Sequence, residues 1–263
     1  MLSLSVEHGA PVIRYREPFS SKIIWLPAAL LCFLAIPFGW VGVFAPAIWL
    51  SLVAIENTGG WKKALSFLIA GLLMLLITSG VIPGNEHVAL LEPYLDESGN
   101  EVYASFRPAK AVIALNIVLF MLIRPQPFSR TDFPVMLIAI AVPFVAGIFL
   151  LGLSPKFSVT IAVAALINLV VVCIAEEGFF RWVLQRGLET WLSRWRWIIA
   201  ALVAVLFTLL HTGWAASPIL LMLVGVAGLG YALVWTTRRS FWACVFTHWG
   251  VNLLHMTLLK YPF

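Results

Sequence analysis

Apolar runs recur along the chain, broken by short polar or basic clusters, and many are long enough to cross a hydrocarbon core of ~30 Å at 1.5 Å per residue. This pattern predicts helices over residues 23–37 and 40–55, split at Pro37-Phe38-Gly39, where proline and glycine break the ladder. Further helices are predicted over 64–82, 110–123, 133–153, 158–189, 195–212, 217–236 and 242–259. The sixth span, from about residue 158, meets no breaker before Gly187 and so carries Glu176 and Glu177 straight through. Residues 1–22 form a polar, basic arm. Residues 83–109 form the one long polar loop, with Glu86, Glu92, Asp96, Glu97 and Glu101. The fold class is therefore all-α, a polytopic transmembrane bundle of about eight to nine spans. Its organisation is an arm at 1–22, N-terminal helices at 23–157 and a candidate catalytic core at 158–259, joined in one membrane domain.

Composition agrees with that picture, since 62% hydrophobic against 11% charged residues excludes an ordinary soluble globule. The net charge of +5 is spread in clusters between the apolar runs, which makes it a topology signal and excludes a nucleic-acid patch. With the N-terminus in the cytoplasm, thirteen of the 17 basic residues fall inside, as the positive-inside rule expects. The acidic loop then faces out, and a bacterial cytoplasmic membrane is the expected location. Cys32, Cys173 and Cys244 lie far apart in apolar runs and suggest neither a disulfide framework nor a metal site. The charged start, with Glu7, His8, Arg14, Arg16 and Glu17, does not look like a cleavable signal peptide.

Ionisable groups at bilayer depth are costly and default to a functional reading. Glu176-Glu177-Gly178-Phe179-Phe180-Arg181 places two carboxylates and an arginine in an apolar segment. Residues four apart share a helix face, so Glu177 pairs with Arg181 and Glu176 looks elsewhere. By the same spacing Phe207 aligns with His211, and His248 with Asn252. Glu176 and His211 lie ~21 and ~25 Å along their helices from the turn near residues 190–194, and can sit level. His248 is only ~10 Å past the basic turn at Arg238 and Arg239. The sixth and seventh predicted helices must then project beyond the membrane as an arm, with the site roughly 10 Å below the cytoplasmic surface. Taken singly, each residue has a structural reading, such as an ion pair that fixes helix register or a packing histidine. Their joint occurrence on three helices points to a site. A Glu–His pair activates water, and a second His with Asn252 donates to an oxyanion. Glu176, His211 and His248 are also a zinc ligand set with an open position, and spacing alone does not choose between the two. His8, His87 and His255 are left without a role, and the Trp-rich turn reads as an interfacial belt.

At these residues the chain resembles the CAAX prenyl protease and bacteriocin-processing (ABI) family of intramembrane endopeptidases. That family's signature is Glu-Glu-x-x-x-Arg, Phe-x-x-x-His and His-x-x-x-Asn. Here the motifs stand in order as Glu176 to Arg181, Phe207 to His211 and His248 to Asn252. Trp182 departs from the small residue many members carry after the arginine. The resemblance implies that Glu176 activates water with His211, that His248 and Asn252 stabilise the oxyanion, and that Glu177 and Arg181 support the site. It favours a glutamic mechanism with no cofactor over a zinc one. It also implies, as partners, the lipid bilayer and a membrane protein or lipidated peptide as substrate. Two rival readings are a non-proteolytic immunity or scaffold protein, which needs no histidine beside Glu176, and a proton-relay transporter, which needs no oxyanion donor.

Overall fold

The computed structural model describes residues 2–7, 10–15, 22–95, 101–213 and 217–260. His8, Arg16 and Glu17 of the arm, and Asp96 and Glu97 of the acidic loop, lie outside the described residues. Two compact units are present, one formed by residues 1–88 and 106–127, the other by 89–105 and 128–263.

In the first unit the arm carries a hairpin, β1 (Leu2–Glu7) antiparallel to β2 (Ala10–Tyr15). The long apolar run then makes three helices, not two: α1 (Lys22–Cys32), α2 (Ala35–Val43) and α3 (Ala45–Asn57). The main break falls before Pro37, where α1 and α2 meet at a bend of 109°. Gly39 does take a conformation closed to most residues, with φ of 53°. The unit is completed by α4 (Gly60–Thr78) and α5 (Pro108–Ile123). Buried Trp49 on α3 donates from Nε1 to the Ile24 carbonyl at 2.9 Å, which locks α1 against α3. Arg124 and Glu56 join the ends of α5 and α3 in an ion pair of 2.7 Å. His87 precedes the second hairpin. Burial and then the charges of Arg107 and Lys110 push its imidazole down, while Arg107 Nε donates to its Nε2.

The second unit begins with a hairpin where a plain polar loop was expected. Its strands are β3 (Val88–Leu95) and β4 (Glu101–Phe106), paired in a two-stranded sheet. The Tyr94 hydroxyl donates to Ser158 Oγ at 2.8 Å, and the same oxygen caps the next helix by accepting from Ile161 N. Five helices follow: α6 (Phe133–Leu151), α7 (Val159–Trp191), α8 (Arg196–Leu210), α9 (Pro218–Arg238) and α10 (Phe241–Leu258). Small residues let them approach closely, since a Cβ on Gly230 of α9 would lie 3.3 Å from the Ala139 carbonyl of α6.

Gly228 on α9 is tighter still, because a Cβ there would meet Phe207 Cδ1 of α8 at 2.8 Å. Phe207 is buried and wedged edge-on against Phe180 at 4.9 Å, so it has no room to withdraw. Gly228→Ala is expected to destabilise the protein by about 1–3 kcal/mol through overpacking. The thermal midpoint of the protein in detergent measures this, and an unchanged midpoint contradicts the packing described.

The chain is an integral, multi-pass, all-helical membrane protein apart from the two hairpins. Among the described residues five helices are long and apolar enough to span, or six if the bent α1–α2 pair counts as one span. This is fewer than the eight to nine expected. The difference lies in α3 with 13 residues and α5 with 16, which reach only ~20 and ~24 Å at 1.5 Å per residue, and in the 18-residue α10, which is not among the helices counted as spans.

Arg239 closes α9 in the left-handed region, with φ of 54° and ψ of 26°. It is the one non-glycine residue with positive φ among the described residues. Glycine is the usual occupant there, and a side chain costs about 1–2 kcal/mol.

Candidate active site

The central helix α7 runs unbroken, as its sequence predicts, but not as a uniform α-helix. It is α-helical over Val159–Ile167, π-helical over Asn168–Cys173, α-helical through Ile174–Glu177, π-helical over Gly178–Gln185 and α-helical again over Arg186–Trp191. The β-branched run Val170-Val171-Val172 crowds α-turns. π-Turns are rare, mark functional sites and change the rotational phase between the residues on either side. Here they flank the two glutamates.

Glu177 is fully buried and its two oxygens are divided between two partners. Oε2 accepts from Arg181 Nε at 3.0 Å, the expected i,i+4 pair. Oε1 lies 2.8 Å from Nδ1 of His248 on α10. A carboxylate only accepts, so His248 carries its proton on Nδ1 and turns Nε2 inward. His211, at the end of α8, repeats the device: its Nδ1 is 2.7 Å from the Phe207 carbonyl, which likewise only accepts. Both imidazoles are also held by stacking, His211 on Phe207 at 4.3 Å and His248 on Tyr231 at 4.4 Å.

Glu176 then meets both inward nitrogens. Its Oε2 is 3.7 Å from His211 Nε2 and 3.8 Å from His248 Nε2. These separations exceed a direct hydrogen bond, as is common for catalytic groups before substrate arrives. The Glu176 and His248 side chains are 10% and 4% exposed while that of His211 is 22% exposed, so His211 is the side open to the surroundings.

The structure thus brings Glu176, Glu177, Arg181, His211 and His248 together on α7, α8 and α10. Asn252, one turn beyond His248, donates through Nδ2 to Asn168 Oδ1 at 3.1 Å. Asn168 opens the first π-segment and also accepts from Cys173 Sγ at 3.1 Å. Asn168 and Tyr231 were not singled out from sequence, because nothing in their local spacing separates them from packing residues. Gln185 and Glu189 were also missed, although Glu177, Arg181, Gln185 and Glu189 step along one helix face at intervals of four.

The donor set Glu176, His211 and His248 is of the zinc-binding type. Among the described residues, no group of three or more His, Cys, Asp or Glu side chains is arranged to hold a metal ion.

No curated protein and no solved structure matches the chain. A family model does: that of the Rce1-like family, described as type II CAAX prenyl endopeptidase Rce1-like, over residues 158–254. The matched segment holds α7 to α9 and most of α10, with all seven motif residues. Residues 158–254 thus match the Rce1-like family of type II CAAX prenyl endopeptidases, in agreement with the resemblance carried by the motifs, and this likeness supports a CAAX-type protease activity.

Proposed function

We propose that the protein is a metal-free intramembrane endopeptidase that hydrolyses a peptide bond in the membrane-anchored or lipidated tail of another protein. The observation that carries this reading is the convergence of Glu176 Oε2 on Nε2 of His211 at 3.7 Å and of His248 at 3.8 Å. A water held by Glu176 and His211 gives up a proton to this pair as its oxygen attacks the scissile carbonyl. His211 suits the task, because with Nδ1–H bound to the Phe207 carbonyl its Nε2 presents a lone pair. The proton then passes to the leaving amine as the carbon–nitrogen bond breaks.

The tetrahedral intermediate carries an oxyanion that needs preorganised donors. His248 donates from Nε2 in its imidazolium form, whose charge the Glu177 carboxylate at 2.8 Å opposes. Asn252 gives one amide proton to Asn168 Oδ1 at 3.1 Å, and the other, which meets only the weak acceptor Cys173 Sγ at 4.0 Å, turns to the oxyanion when substrate is bound. The substrate tail enters sideways between helices, and the site faces the cytoplasmic leaflet.

The test uses the full chain reconstituted in lipid vesicles, with an internally quenched peptide whose C-terminal Cys-aliphatic-aliphatic-x tail is farnesylated. The expected result is cleavage at one bond, with a rate within about twofold of the untreated rate after exhaustive chelation, since metal removal takes no part in general acid–base catalysis. Activity lost to chelator and regained with zinc contradicts the metal-free mechanism. Absence of cleavage of any anchored or lipidated tail peptide contradicts the protease reading.

A further inference from the structure

Beyond the motif residues, α7 carries a continuous buried polar ladder away from the site. Arg181, whose Nε holds Glu177, extends Nη1 to Gln185 Oε1 at 3.1 Å and Nη2 to the Gly228 carbonyl at 3.3 Å. Gln185 is fully buried. Its Nε2 reaches Thr236 Oγ1 at 2.9 Å, Glu189 Oε1 at 3.1 Å and the Ala232 carbonyl at 3.2 Å. The amide cannot be turned over, because a flipped NH₂ would face the guanidinium. Glu189, 5% exposed, accepts at Oε2 from Trp235 Nε1 at 3.2 Å and from Arg239 Nη1. The Arg239 side chain is 34% exposed and ends the series.

The ladder therefore runs, without an unpaired step, from Arg239 through Glu189, Gln185, Arg181 and Glu177 to the Nδ1–H of His248. Charge alternates along it, from cation to anion through a neutral amide to cation and anion. Each group holds the next in one orientation. Arg239 keeps its left-handed backbone in place of a glycine and thereby puts a cation over Glu189.

We infer that Gln185, Glu189 and Arg239 are positioning residues for the protease proposed above: they hold Arg181, and through it Glu177, so that His248 stays protonated on Nδ1 and aims Nε2 at Glu176. This rests on the protease reading, because the group they position is the proposed oxyanion donor.

Three variants test it in the vesicle assay: Gln185→Met, Glu189→Gln and Arg239→Gly. The last offsets part of the loss of the outer cation by relieving the strained backbone, and Arg239→Lys, which keeps a cation beside Glu189, is the control that separates a folding loss from a positioning one. The expected result is a fall in kcat of about 10-fold for Arg239→Gly and up to about 100-fold for the other two, with KM within about twofold. This is the size of loss given by disturbing a group that supports a catalytic residue without touching substrate. In protein with ¹⁵N-labelled histidine, the downfield Nδ1–H signal that disappears in His248→Ala should also shift or broaden in Arg239→Gly. An unchanged kcat in Arg239→Gly overturns the inference. So does a lower kcat with the His248 signal unmoved, since the residues would then act on the fold alone. Glu176→Gln in the same assay separates the two ideas: if it stays active the protease reading fails, and if it is dead while Arg239→Gly is fully active only the ladder fails.

Discussion

Glu176→Gln is expected to lower the turnover of an anchored tail peptide by about 10²- to 10⁴-fold, the range supplied by a positioned general base. The substitution keeps the shape of the side chain and removes its capacity to take a proton from water. Arg181 pairs with Glu177 through Nε at 3.0 Å, and the amide at position 176 leaves that pairing intact. The thermal midpoint should stay at the wild-type value or rise, because the side chain is 10% exposed and a buried charge is costly to hold. KM should change little, since the group acts in the transition state. A fall in turnover with a parallel loss of folded protein would instead make Glu176 a structural residue.

Arg181→Leu should have the largest effect on stability. Arg181 and Glu177 are both 0% exposed, and the guanidinium also serves Gln185 and the Gly228 carbonyl. Removing one partner of a buried pair leaves the other charge uncompensated, at a cost of about 3–5 kcal/mol. Against a typical total of about 5–15 kcal/mol, that is enough to deplete the folded protein. Arg181→Lys should not rescue it, because an ammonium lacks the planar fork that reaches three acceptors at once. A double variant, Arg181→Leu with Glu177→Met, removes both charges and should recover much of the stability. It should not recover turnover, because Nδ1 of His248 has then lost its acceptor. The thermal midpoint and the tail-peptide assay together read this pair, and an Arg181→Leu protein as stable as wild type contradicts the account.

Hydrophobic patterning was enough to find the membrane helices, because lipid-facing and core-facing positions are both apolar and only the connections are polar. It placed α6, α8, α9 and α10 to within a few residues. The pairing of Glu177 with Arg181 was legible because four-residue spacing brings side chains together on a helix. The π-segments of α7 were not legible. The β-branched run Val170-Val171-Val172 is a weak signal for them, and neither proline nor glycine marks the start of the first one at Asn168. The hairpin of β3 and β4 was read as plain loop because charge and turn residues dominated the stretch. The alternation of Val102, Ala104 and Phe106 with more polar neighbours is the signal that was available. Asn168 stayed hidden for a different reason. Its partner Asn252 lies 84 residues on, and no local pattern couples positions so far apart.

The central claim is that this site cuts protein tails, and the most direct measurement compares C-termini of membrane proteins in cells carrying wild-type protein or Glu176→Gln at equal levels. The account predicts at least one membrane-anchored or lipidated protein whose tail is trimmed in the wild type and accumulates uncut in the variant. Identical C-termini in the two membranes, with both proteins folded and inserted, would contradict it.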